Sequence, residues 1–266
     1  MNNVTFGRYI PGNSLIHQLD PRIKIVCMIL LLIGIFIPAG YTGYAIMAVF
    51  VALMLVMSHL GIGYIFRTLK PMLMMMGFLL LINVLVNKSG NLLFSWGWFS
   101  VYDGALSQTG YIIVRLILML SVSSVLTTTT KPLDLTLGIE DLLSPLQKIG
   151  VPAHEIAMMI SIALRFIPTL IEEVERIMKA QQSRGVDLEN GKLKEKIMAI
   201  LSLIVPLFVS SFQKADDLAN AMEARGYVPE AHRTRYKQLH IHTRDIVCLI
   251  LCLLLLAGLI VLAVKL

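Results

Sequence analysis

Residues 246–264 read IVCLILCLLLLAGLIVLAV, nineteen consecutive residues without a charge. A helix needs about twenty such residues, at about 1.5 Å each, to cross the roughly 30 Å hydrocarbon core of a bilayer. The whole chain agrees with that run. Of its 266 residues, 56% are hydrophobic and only 15% charged, against about 25% charged in soluble domains, and the mean hydropathy is +0.76. The chain is therefore an integral membrane protein and is expected to be all-α. The net charge of +6 suits anionic lipid and basic cytoplasmic loops better than nucleic acid, which is not expected as a partner.

Four further apolar stretches precede the quoted one, at about 23–38, 41–58, 71–87 and 105–127. They predict five spans in all, with Pro71 at the first turn of the third, where its missing N–H is tolerated. Residues 1–24 are polar and basic through Arg8, Arg22 and Lys24, and are not expected to act as a cleavable signal. Positive charge places them in the cytoplasm together with the loop at 59–70, which carries Arg67 and Lys70. The uncharged loop at 38–44 and the aromatic segment at 88–104, which holds Trp96 and Trp98, go to the outer face. Arg115 sits inside the fourth span with no acidic residue in a span to relay to, so a structural role is expected.

Three regions follow from composition: 1–130 with the first spans, 131–244 with most of the charge, and 245–266 with the last span. The middle region predicts helices at about 139–148, 153–184 and 193–225, broken at Gly138, at Gly150-Val-Pro152 and at the loops beyond. The two long helices look alike. Each begins nearly all apolar, contains one proline in that half (Pro168, Pro206), and ends charged and amphipathic. The apolar halves are expected to pack on each other and on the membrane helices, with the charged halves in the cytoplasm. Arg165 is expected to anchor the first long helix or to pair with Glu172 or Glu173.

Both helices finish on the same signature, AQQSRGVDLE at 180–189 and AMEARGYVPE at 221–230. Glycine after a helix end takes positive φ without penalty, and an arginine before it faces unpaired carbonyls. One such end is an ordinary cap. Two, each with alanine four residues before the arginine (Ala180, Ala221) and a small residue beside it (Ser183, Ala224), suggest docking points for two similar soluble partners. The guanidinium fork of Arg184 or Arg225 suits a partner's carboxylates.

These blocks resemble the transmembrane coupling (T) component of energy-coupling-factor transporters. YIPGNSLIHQLDPRIKI near the start, TTTKPLDLTLGIEDLLSPLQKIGVPAHEIAMMISIALRFIPTL in the centre, and the paired Ser183-Arg184-Gly185 and Ala224-Arg225-Gly226 carry the likeness, in order, over nearly the whole chain. The resemblance implies a prokaryotic cell-membrane subunit that is not itself an enzyme and binds no cofactor directly. Its two small-Arg-Gly motifs would dock into two cytoplasmic ABC-type ATPases, which bind the ATP. It would pass their motion to a separate membrane substrate-binding S component for vitamin or micronutrient uptake. Methionines concentrate at Met72, Met74, Met75 and Met76 and at Met158 and Met159; Met72, Met75, Met158 and Met159 are candidates for contact with that S component, since methionine surfaces adapt to several partners.

Other classes are weaker. A membrane-embedded enzyme would need acidic or histidine clusters within its spans, and a self-sufficient carrier would show inverted repeats of spans. Gly61-Ile-Gly63 lacks the rest of a phosphate loop. His232, His240 and His242 lie among basic residues and read as a headgroup-facing segment, and Cys27, Cys248 and Cys252 as small apolar residues, so no metal is expected.

Overall fold

The computed structural model describes residues 9–87, 92–96, 99–145, 150, 152–186, 193–228 and 239–265. Eight helices and one hairpin run along these residues: α1 Pro21–Phe36, α2 Gly40–Met57, α3 Ile62–Val86, β1 Leu92–Trp96, β2 Phe99–Tyr102, α4 Asp103–Thr129, α5 Pro132–Leu143, α6 Ala153–Ser183, α7 Leu193–Ala224 and α8 Thr243–Lys265. The protein is a helical membrane protein. Six of its helical stretches are long and apolar enough to cross a bilayer: α2, Arg67–Val86 of α3, α4, α6, α7 and α8. At 16 residues, α1 is only about 24 Å long. The long helices α6 and α7 therefore meet the span criterion although the sequence assigns them to the coupling region.

The chain divides into two units, Met1–Leu142 with Leu239–Leu266, and Leu143–Gln238. The first is a bundle whose core joins α1, α2, α4 and α8. Cys27, Leu31 and Ile35 follow one another at four-residue intervals on α1, so they share a face. They meet Met47 and Val51 of α2, Leu118 and Val122 of α4, and Cys252 and Leu259 of α8. Outward-facing Ile33, Val49, Leu254 and Val261 are exposed, as expected of side chains whose solvent is lipid.

Polar contacts set the direction of each helix. The Asp20 N–H donates to Asp245 Oδ1 at 2.8 Å, so α1 and α8 begin side by side and run parallel. Asp20 is also the N-cap of α1 and accepts from the Arg22 N–H. Asp245, three residues into α8, reaches back to accept from the His242 N–H at 2.7 Å, half of a capping box. At this same end Lys24 Nζ donates to the carbonyls of Thr129 (3.0 Å) and His17 (3.2 Å), so α4 finishes where α1 starts. At the other end Arg115 of α4 donates to the Tyr44 hydroxyl at 2.7 Å and lies 5.4 Å from the Phe36 ring centre, while Tyr41 stacks on Tyr111 at 4.4 Å. The intramembrane cation is thus housed in an aromatic nest that supplies an acceptor and ring faces in place of a carboxylate.

Three elements differ from the sequence expectation. First, Pro71 does not open α3. The helix starts at Ile62 and carries Pro71 inside it, so the connection from α2 is short and Arg67 and Lys70 are helical. A proline removes a single backbone donor, which one helix of 25 residues tolerates. Second, the 88–104 segment contains an antiparallel hairpin, with Leu92 opposite Tyr102 and Trp96 opposite Phe99. Its aromatic and branched residues are strand formers as much as interface anchors.

Third, the expected helix at 139–148 is α5, which begins at Pro132 and runs through Gly138. This glycine marks a close approach and not a break. A Cβ there would lie 3.2 Å from Pro21 Cβ and 3.3 Å from both Arg22 N and Ile25 Cδ1. Gly138→Val is expected to push α5 off α1 and destabilise the bundle by about 1–3 kcal/mol, the usual cost of overpacking. The midpoint of unfolding in detergent checks this, with Gly110→Val, where a Cβ meets nothing within 4 Å, as the reference.

Candidate functional site

In the second unit α6 and α7 pack on each other. Gln181 Nε2 donates to the Ser202 carbonyl at 3.3 Å, and Lys214 Nζ pairs with Glu173 Oε2 at 3.3 Å. Advancing from 173 to 181 along α6 goes with retreating from 214 to 202 along α7, so the helices are antiparallel. This corrects the expectation that their apolar halves pack together. Reversed direction sets the charged half of α6 against α7, and the apolar halves point apart. Met159, Ile197, Met198, Val205 and Phe208 are exposed, as are Pro168 and Pro206, and neither proline interrupts its helix.

The two Arg-Gly ends have one geometry. On α6, Gly185 takes φ +84, its N–H donates to the Gln182 carbonyl, and the Val186 N–H donates to the Gln181 carbonyl, both at 3.0 Å. On α7, Gly226 takes φ +74, its N–H donates to the Glu223 carbonyl at 2.8 Å, and the Tyr227 N–H donates to the Met222 carbonyl at 3.0 Å. Each is a complete Schellman cap, which closes the last turn and leaves the residue before the glycine projecting from the tip. Ala180, Ser183, Arg184 and Gly185 are exposed, and so are Ala221, Ala224, Arg225 and Gly226. Among the described residues neither Arg184 nor Arg225 has an ion-pair partner.

Because the helices are antiparallel, the tips lie at opposite ends of the pair and not side by side. Arg184 is three residues beyond the Gln181 contact and Arg225 eleven beyond the Lys214 contact. Eight residues of α6 and twelve of α7 lie between those contacts, so the tips are separated by up to roughly 33–39 Å at 1.5 Å per residue. An arginine finger at each end, too far apart for one small groove, can engage two separate acidic surfaces.

The glycine requirement is conformational alone. A Cβ at Gly185 or Gly226 meets nothing within 4 Å, so space is available and only the positive φ excludes other residues. Gly185→Val is expected to lose the cap at a local cost of about 1–2 kcal/mol, while Gly185→Asn retains it because asparagine tolerates this conformation. Amide exchange at Val186 and any binding measured at the tip should separate the two variants.

Arg165 is exposed and does not pair with Glu173 as the sequence suggests: Lys214 and Arg176 hold that carboxylate, at 3.3 and 3.7 Å. Of the methionine candidates, Met75 and Met159 are exposed and Met72 and Met158 half-buried; Met72 and Met75 lie on α3 in the first unit, and Met158 and Met159 on α6 in the second. His232 falls outside the described residues. The sequence offers no signal for the shared caps of Asp20 and Asp245 or for the Glu173–Lys214 tie, since each joins residues far apart in the chain.

A bundle of apolar helices with a second helical pair bearing duplicated, exposed arginine caps defines a multi-pass helical membrane protein with two cationic helix tips. The chain belongs to the family whose model is described as cobalt transport protein (CbiQ), which matches residues 12–236. Relatives named energy-coupling factor transporter transmembrane protein EcfT span nearly all of it. One from Clostridium kluyveri is 43% identical over 256 residues, covering 96% of this chain and 95% of the relative. One from Brevibacillus brevis is 43% identical over 245 residues, 92% of each, and one from Bacillus subtilis 42% identical over 239 residues, 90% of each. The chain is thus a transmembrane component of the energy-coupling-factor transporter type.

Proposed function

We propose that this protein is the coupling subunit of an ATP-driven importer and carries no catalysis of its own. Two cytoplasmic ABC-type ATPases bind the ATP; each receives one arginine tip, Arg184 or Arg225, in an acidic groove. The observation that carries this reading is the pair of identical exposed caps at opposite ends of one antiparallel helix pair. When ATP draws the ATPases together, the tips travel with their grooves and the two helices shift against each other across the Gln181–Ser202 and Glu173–Lys214 contacts. The exposed apolar halves of α6 and α7, with Met158 and Met159, then move the surface on which a substrate-binding S component rides, and Met72 and Met75 on α3 offer that partner a second adaptable face. The S component sets the vitamin or micronutrient carried.

The basic junction of α1, α4 and α8 faces the cytoplasm in this reading, with the N-terminal segment and the coupling helices on that side and the end of α8 outside. Extraction of the tagged protein from its own membranes in mild detergent tests the proposal. Two ATPase chains and a small membrane protein should accompany it, and ATP hydrolysis by the assembly should drive uptake in vesicles. Recovery of the chain alone, from membranes in which those ATPases are present, overturns it.

A further inference from the structure

Three sulfurs distant in sequence converge inside the first unit. Cys27 of α1 and Cys248 and Cys252 of α8 place their Sγ atoms within 4.8 Å of one another. Two features of the fold bring this about. Cys248 and Cys252 are four apart and so share a helix face, and the parallel packing of α1 on α8, locked by the Asp20–Asp245 hydrogen bond, sets Cys27 against that face. Cys27 and Cys252 are 5% and 2% exposed, and all three are free thiols. They are the only cysteines in the chain.

The cluster lines a cavity of about 380 Å³ whose wall also carries Met28, Met54 and Met57. Six sulfur-bearing side chains therefore border one apolar space. Its polar lining residues are the cations Lys24 and Arg244 with Thr129 and Thr243. Among the described residues no histidine or carboxylate joins the three thiols.

We propose that this cavity is a binding site for a soft monovalent metal ion, Cu(I) or its analogue Ag(I), held by Cys27, Cys248 and Cys252. Thiolate and thioether ligands select Cu(I) over harder ions. Structural zinc demands four nitrogen, oxygen or thiolate ligands in a tetrahedron, and the cluster supplies three; Cu(I) is satisfied by two or three sulfurs. Trigonal coordination with metal–sulfur bonds of about 2.3 Å needs sulfurs about 4.0 Å apart. The observed separations reach that with small rotations of the side chains. Each thiol that binds gives up its proton to solvent. Three thiolates around Cu(I) carry two net negative charges, and the cations Lys24 and Arg244 stand on the same cavity wall. The inference stands on the first unit alone and is independent of the coupling role proposed for α6 and α7.

The test uses the full chain in detergent, reduced and free of oxygen, titrated with Cu(I) in competition with a chromogenic chelator, and separately with Ag(I). One ion should bind per chain, with thiolate-to-metal absorption in the near ultraviolet. Cys27→Ala and Cys248→Ala should each weaken binding at least ten- to a hundred-fold, and the triple alanine variant should abolish it. Because alanine variants of a core residue can unfold, the native chain supplies a second reading. In native mass spectrometry the intact reduced chain should carry one Ag(I), with one proton lost for each thiolate that binds it. Failure of the native chain to bind more Cu(I) or Ag(I) than the triple variant overturns the proposal. So does absence of the one-ion adduct from that spectrum, or displacement of Cu(I) by an equal concentration of Zn(II) or Co(II).

Discussion

Charge reversal at both tips, Arg184→Glu with Arg225→Glu, is expected to release both ATPases from the protein and to stop uptake while leaving the fold intact. Both guanidiniums are exposed and unpaired among the described residues, so their loss breaks nothing within the chain. In the proposed complex each fork would enter an acidic groove and be desolvated. Removing one partner of such a pair costs roughly 2–5 kcal/mol, a factor of roughly 30 to several thousand in affinity, and reversal adds repulsion. Losing both contacts exceeds what an assembly held at two points can absorb. A single reversal leaves the other tip docked, so it should reduce coupling, read as uptake per ATP hydrolysed, more than recovery of the complex. Co-purification and vesicle uptake read the two effects separately. A double variant that still holds both ATPases and still transports removes the tips from the mechanism.

Asp245→Ala is expected to be the most damaging single change to the bundle. Asp245 is 1% exposed and accepts two backbone N–H groups, from Asp20 at 2.8 Å and His242 at 2.7 Å. Alanine strands the buried Asp20 N–H, at about 1–3 kcal/mol, removes the part-buried cap bond to the exposed His242, worth about 0.5–2 kcal/mol, and frees the starts of α1 and α8 from each other. The expected loss is therefore about 1.5–5 kcal/mol, with Asp245→Asn in between, because one acceptor oxygen survives. Detergent unfolding followed by tryptophan fluorescence measures the loss. A bridge engineered between α1 and α8 should restore much of it. An alanine variant within about 0.5 kcal/mol of the parent, the range of neutral surface changes, shows that the junction does not hold the bundle.

How much of this could be read without coordinates depends on where each signal is stored. The uncharged run at 246–264 announces a spanning helix because bilayer thickness alone sets its length. The boundaries of α6 and α7 at Ala153–Ser183 and Leu193–Ala224 lie within a residue of the expectation because caps, prolines and glycines are local chemistry. The Arg-Gly signature implied the positive φ of Gly185 and Gly226 for the same reason. Local cues misled where two structures share a composition. Pro71 suits a helix start as well as a tolerated interior site, Gly138 suits a break as well as a close crossing, and Leu92–Tyr102 suits an interface belt as well as a hairpin.

Sequence alone determined the membrane class, the family likeness and the duplicated arginine tips, all of them properties of short windows or of ordered blocks. Tertiary structure decided that α6 and α7 run antiparallel and so send their arginines to opposite ends. It also decided that Asp20 and Asp245 share a cap and that Cys27 meets Cys248 and Cys252. Each of these pairs residues tens to hundreds of positions apart. Their proximity follows from which helix faces pack, and helix packing is chosen by the summed fit of many side chains and not by any one stretch of the chain.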